Sequence, residues 1–322
     1  MALQPIKWRS KIILAKIEPP ASYGVDAAPT GAANAMLLTD VQLQPMEGQD
    51  VSRNVETPKL GAQEEIPVGI HVVLTGSFEL VGSGETGVAP AWGPLIRMCG
   101  VAEVLTPDAV PDDNSGTVEY LPVTDDHEHG SIHFHIGPSR HVITGARGNV
   151  ELTLNAQGIP VGRVTITGLF TRPADAARPT VDLTKFQRPD VVTHANTPEF
   201  TIGGQPFVMR DFGMNLGNDV QARMLVGSES VIIVDRTEAI STTVEAVPLA
   251  TYNPFNKSLD GDRVEITLKH GKVVGRKFEF SAPSCAQKRL TGYQENQKIL
   301  EWPLQFTPMP VAGDDQWKIT LS

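Results

Sequence analysis

Short runs that alternate apolar and polar residues, set between glycines and prolines, constrain this chain more than any other feature. Ser131–Ile136 places Ile132, Phe134 and Ile136 on one parity, Asn149–Asn155 does so with Val150, Leu152 and Leu154, and Val161–Phe170 with Val164 and Ile166. A period of two lines such residues along one face of a strand. Gly137-Pro138 and Gln157-Gly158 fall between these runs as hairpin signals. Upstream, Ile70–Val81 puts Ile70, Val72, Leu74, Gly76, Phe78 and Leu80 on one parity and the more polar His71, Val73, Thr75, Ser77 and Glu79 on the other. Further strands are predicted at Met36–Gln44 and Thr117–Leu121.

The second half reads alike. Strands are predicted at Pro206–Leu216, Gln221–Val226, Ser230–Asp235, Arg263–Lys269, Val274–Ser281, Lys298–Thr307 and Gln316–Leu321. Helical signals are short. Pro90 suits the first turn of a helix over Ala89–Cys99, with Gly100 as its stop, and Ser241 is placed to cap a helix over Thr242–Thr251. With 29 glycines and 25 prolines the chain favours turns over long helices. The expectation is a mainly-β protein of two tandem β units, 35–172 and 198–322, each with one short flanking helix. An extended Pro/Ala/Gly-rich arm, 1–34, precedes them. A linker, 173–197, joins them through four X-Pro steps. The two units share element order, not residue identity.

Charge is uneven. Residues 1–160 hold 9 Lys/Arg against 19 Asp/Glu, whereas 161–322 hold 18 of each, so the net −10 lies in the first half. Between Arg97 and Arg140 there is no Lys or Arg, and Glu103, Asp108, Asp112, Asp113, Glu119, Asp125, Asp126 and Glu128 fall there. A tight nucleic-acid binder needs a basic groove instead. This interval reads as a solvated acidic loop, or as a surface that repels nucleic acid or meets a basic partner. Cys99 and Cys285 form no zinc or disulfide pattern, and no run approaches the roughly 18 apolar residues of a membrane span. A soluble chain in a reducing compartment is expected.

Three constellations invite chemistry. Gly82–Gly87 fits G-x-G-x-x-G after a strand and before a helix, but Pro90 and Pro94 fall where a dinucleotide-binding helix must run, so a turn is expected. His127, His129, His133, His135 and His141 cluster within 15 residues. His133 and His135 share the strand face opposite Ile132 and Phe134, which makes them weak metal candidates; a polar face near a subunit contact is the plainer reading. Asp112–Gly116 resembles part of a calcium loop but lacks the closing bidentate acid. No nucleophile elbow or Cys/His signature occurs, so neither a catalytic residue nor a cofactor is expected.

The segment Leu60–Gly100, with "TGSFEL" at Thr75–Leu80 and "APAWGPLIRMCG" at Ala89–Gly100, resembles the major tail tube proteins of long-tailed, non-contractile bacteriophages. Ile143–Phe170, with its "GARGNV" turn at Gly145–Val150 and "TGLF" strand, is similar to the same family, as is Leu37–Asn54. The resemblance covers about 35–172. It implies a β-sandwich or barrel with a flanking helix, six such folds to a ring, and stacked rings forming a tube that conducts DNA without specific binding. It also implies a non-enzymatic subunit located in the virion tail and assembled in the host cytoplasm. The implied partners are further copies of itself and the tail terminator, tape measure and distal tail proteins. With two units per chain three chains complete a ring, and with one unit six do; the trimer is favoured. On this reading the acids named above line the lumen or the ring contact, and segments 17–34 and 103–130 stack the rings. The alternative is a β-sandwich adhesion module, but aromatic residues are few and scattered.

Overall fold

A computed structural model describes residues 5–110 and 113–322, so the candidate Asp112 lies outside the described residues. The first half comprises β1 (Lys11–Ile17), α1 (Gly31–Asn34), β2 (Ala35–Met36), β3 (Thr39–Ser52), β4 (Glu65–Glu79), α2 (Gly93–Arg97), β5 (Val101–Thr106), β6 (Thr117–Pro122), β7 (Gly130–Ile136), β8 (Ser139–Asn155), β9 (Val161–Phe170) and β10 (Ala174–Asp175). The second comprises β11 (Glu199–Ile202), β12 (Gln205–Pro206), β13 (Met209–Asn215), β14 (Asn218–Leu225), β15 (Ser228–Arg236), β16 (Ala239–Glu245), α3 (Pro254–Asp260), β17 (Arg263–His270), β18 (Phe278–Gln287), β19 (Gln294–Asn296), β20 (Ile299–Pro308) and β21 (Lys318–Leu321). The fold is mainly β, and every strand pairing among the described residues is antiparallel.

The predicted alternation sets the layers. Val72, Leu74, Gly76 and Phe78 of β4 and Val164 and Ile166 of β9 are buried, while Val73, Thr75, Ser77 and Thr165 between them are not. Phe78 stacks on Trp92 at 4.8 Å, and the Trp92 indole donates to the Val81 carbonyl. Each such side chain contributes about 1.5–3 kcal/mol by leaving water. Gly162 of β9 faces Phe78: a Cβ there would lie 2.3 Å from the ring. The buried side chains of the two halves form one contiguous core.

Connectivity repeats. In the first half the hydrogen-bonded order is β1-β7-β8-β9-β4-β3. In the second it is β11-β17-β18-β20-β16-β13. In both sets the strands come first, fourth, fifth, sixth, third and second along the chain, and a short helix follows the third. Two further links join the halves. Glu151–Asn155 at the end of β8 pairs with Asn215–Asp211 of β13, and the C-terminal β21 pairs with both β18 and β6.

Several expectations are corrected. Thr242–Thr251 is not a helix: β16 occupies Ala239–Glu245, where Ile240, Thr242 and Val244 face the core, as β-branched residues suit. The helix lies later, where Asn253 accepts from the Phe255 and Asn256 amides and Gly261 at φ +70° ends it. The supposed arm contains β1, whose Leu14 and Ala15 are buried. The acidic interval is largely a hairpin, β5–β6, bonded to β21. Gly145–Val150 is not a turn but the interior of β8, bulged at Gly145 with φ +56°. The strand expected from Val274 begins at Phe278.

Candidate assembly interface

The residues that suggested chemistry serve the fold. In the Gly82–Gly87 turn the Gly84 amide donates to the Gly275 carbonyl of the second half. Among the described residues no parallel β–α–β crossover follows it; β5 and β6 after α2 pair antiparallel. His133 and His135 do lie opposite Ile132 and Phe134, but both faces of β7 are buried, so the expected surface contact is not there. His133 Nε2 meets the Asp26 carboxylate at 2.9 Å. His135 Nδ1 is buried with no hydrogen-bond partner among the described residues; burial and then His133, Arg140 and Arg178 hold its pKa down. Among the described residues no three His, Cys, Asp or Glu side chains converge as a metal site.

A contact that no local motif signals organises this region. Glu18 is fully buried and accepts from His129 Nδ1 (2.6 Å), Ser131 Oγ (2.6 Å) and the amides of Gly24 (2.9 Å) and Gly145 (2.8 Å). Both carboxylate oxygens are thereby satisfied, as a buried charge requires. The segment expected to reach for a neighbouring ring is instead fastened to β7 and to the β8 bulge.

The acidic candidates divide. Arg97 forms a two-point pair with Glu128 (2.6 and 2.7 Å) and reaches Glu103 at 3.3 Å, and Tyr120 donates to Glu103 at 2.8 Å. Asp108 accepts from Thr86 Oγ1 and the Gly116 amide, and Glu119 pairs with Lys318 at 2.9 Å. Asp113 closes its own turn with Ser115, whose hydrogen bonds lower its pKa. Asp113, Asp125 and Asp126 remain exposed. Glu103, Glu119 and Glu128 are thus matched by basic side chains within the chain and Asp108 by neutral donors, while Asp113, Asp125 and Asp126 keep their charge at the surface.

Among the described residues several strands, β5, β14 and β15 included, have a single partner strand; within the two repeated sets, the open edges are at β3 and past the end of β18. β3 pairs with β4 alone among the described residues, and Met46 along it and Leu37 just before it are exposed. After Ala286, the last residue of β18 to pair with β17, the chain continues bonded on one side only. Lys288 donates to the Gln305 carbonyl, and β19 pairs with β20. Tyr293, Ile299 and Leu300 are exposed there. In the first half the corresponding side of β8 is occupied by β13. Unpaired edges of this kind are templates for strand addition.

The hairpins between the second and third strands of each set differ. Glu47 pairs with His71 and Asn215 with Ala239, so the chain beyond those pairs is 48–70 in one half and 216–238 in the other, equal in length. The second excursion, β14–β15, folds over β8, β9 and β4. Val231 is buried there, its amide donates to the Tyr23 hydroxyl at 2.6 Å, and its carbonyl accepts from Arg147 at 2.8 Å. The first excursion touches no such cover: 48–69 is exposed throughout, including Val51, Leu60 and Ile66. The sequence signal was present in its mixed, unperiodic run of five acids (counting Glu47) and two bases across 47–66, but nothing local distinguishes a projecting hairpin from a docked one. Neither the models of known protein families nor the curated proteins match this chain.

Proposed function

We propose that this chain is a structural subunit whose copies join head to tail into rings, and that the rings stack into the tube of a long bacteriophage tail. The observation that carries the reading is the repeated six-strand connectivity. Its second set docks on the first through β8 and β13, which leaves the counterparts of those two strands open at opposite ends of the chain. An interface between unlike surfaces closes into a ring when its rotation permits. The β20 residues Ile299 and Glu301 pair with Asn296 and Gln294 as the β9 residues Val161 and Arg163 pair with Thr153 and Glu151. Thr153 and Glu151 meet Gly213 and Asn215, whose counterparts on β3 are Gln44 and Glu47. Asn296 of one chain therefore pairs with Gln44 of the next. Two sets per chain make a three-chain ring pseudo-sixfold.

The resemblance of Leu60–Gly100 and Ile143–Phe170 to tail tube proteins supports the same reading and supplies its biological setting. The subunit is then non-enzymatic, and DNA passes through the lumen without specific contacts. Electron microscopy of the purified chain tests the proposal: rings or tubes with a central hole are expected. A monomer at every concentration, by light scattering, would refute it.

A further inference from the structure

We infer that the projecting hairpin tip, 48–70, is an arm that lies across the second-half sheet of a neighbouring copy, in the way β14–β15 lies across the first-half sheet of its own chain. This rests on the head-to-tail reading above. The two excursions leave equivalent strands at equivalent pairs and have equal length. One is already seated. Its seat is the face of β4, β9 and β8 that turns away from the core, and Arg147 holds the carbonyl of Val231.

The second half offers the matching seat uncovered. From the end pairs Ile143↔Phe170 and Cys285↔Pro308, three residues back along β9 and β20 stand Thr167 and Gln305. Thr167 pairs with Arg147, and Gln305 accepts from the Lys288 amide. Lys288 thus stands where Arg147 stands. Lys288, Arg289, Ser241 and Gln305 are exposed around it. Counting back from Ala239 to Val231, and equally from His71, reaches Gln63, beside Glu64 and Glu65.

Charge and surface agree with a second copy as the occupant. The 47–66 stretch carries Glu47, Asp50, Glu56, Glu64 and Glu65 against Arg53 and Lys59, while the open seat presents Lys288 and Arg289. Exposed apolar residues occur on both, Val51 and Leu60 on the arm and Tyr293 and Leu300 beside the seat. In a cyclic array each arm leaves one chain's β3 where that strand meets the neighbour's β19, so the seat lies within its reach.

Paired cysteines test this. Cys99 and Cys285 are buried, which leaves introduced thiols as the accessible ones. The variant Glu64→Cys/Lys288→Cys is oxidised beside Gln44→Cys/Asn296→Cys, which reports only the edge joint. Covalent multimers from both pairs are the expected result. Multimers from the edge pair but none from the arm pair would overturn the arm while leaving head-to-tail assembly intact. No multimer from either, with a monomer in light scattering, removes both. As a second readout, Lys288→Glu should lose assembly and adding Glu64→Lys/Glu65→Lys should restore it; assembly unaffected by Lys288→Glu, or a loss that the charge reversal does not rescue, counts against the arm.

Discussion

Two hairpin excursions of equal length leave equivalent strands, and one is packed while the other stands in solvent. β14–β15 has a sheet within reach in its own chain, and Val231, Tyr23 and Arg147 fasten it. The 48–70 tip has none. Its exposed Val51, Leu60 and Ile66 have no counterpart to Val231's burial. The difference teaches that an element's exposure depends on what the chain places beside it and not on its own length or pairing. A repeated architecture reads as self-complementary when one of its joints is filled internally and the equivalent joint is left open.

The comparison breaks most sharply by excision. Replacing 219–235 with a short turn removes Val231 and with it the Val231 carbonyl that Arg147 holds and the Val231 amide that donates to Tyr23. A loss of about 4 kcal/mol or more is expected in chemical denaturation. Glu18→Ala comes next, because it strands His129, Ser131 and two amides in the interior; about 3–5 kcal/mol is expected by the same measurement. Arg147→Ala, which removes donors to the Val231 and His127 carbonyls, should cost about 2–3 kcal/mol. Its counterpart Lys288→Ala should leave monomer stability unchanged, since Lys288 is exposed.

Acid sensitivity sharpens the contrast between the halves. Burial lowers the pKa of His127, His135 and His141 in the first half and of His270 in the second. The folded chain thus resists protons that the unfolded chain takes up near the ordinary histidine value of about 6.5. The stability associated with these groups is present above that pH and declines as pH falls below it. Denaturant midpoints between pH 7.5 and 5 should show the decline, and His135→Phe and His270→Phe should each flatten it. The smallest effect is expected from excising 49–67: stability should hold within about 0.5 kcal/mol, as for other exposed surface. Light scattering should nonetheless show that assembly is lost.

Much of the strand content was legible because alternation is a local consequence of one-sided burial. Val150/Leu152/Leu154 and Val164/Ile166 are buried as their parity requires, whereas β7 is buried on both faces, His133 and His135 included. The misreadings share a cause. Thr242–Thr251 looked helical by its flanking cap residue, yet β13 and β20 on either side recruit Ala239–Glu245 as a strand. Gly145–Val150 looked like a turn through its resemblance to the tail tube family, yet the positive φ of Gly145 serves a bulge inside β8. Glu103, Asp108, Glu119 and Glu128 looked solvated because their partners Arg97, Thr86 and Lys318 could not be assigned from spacing.

By itself the sequence determined a mainly-β chain, the parity of its strands and the short reach of its helices, all properties of neighbours a few residues apart. Only the tertiary structure decided which edges close, which acids are paired and which of two equal hairpins finds a seat. Those outcomes depend on strands brought together from distant parts of the chain, and burial is decided by what arrives opposite a residue.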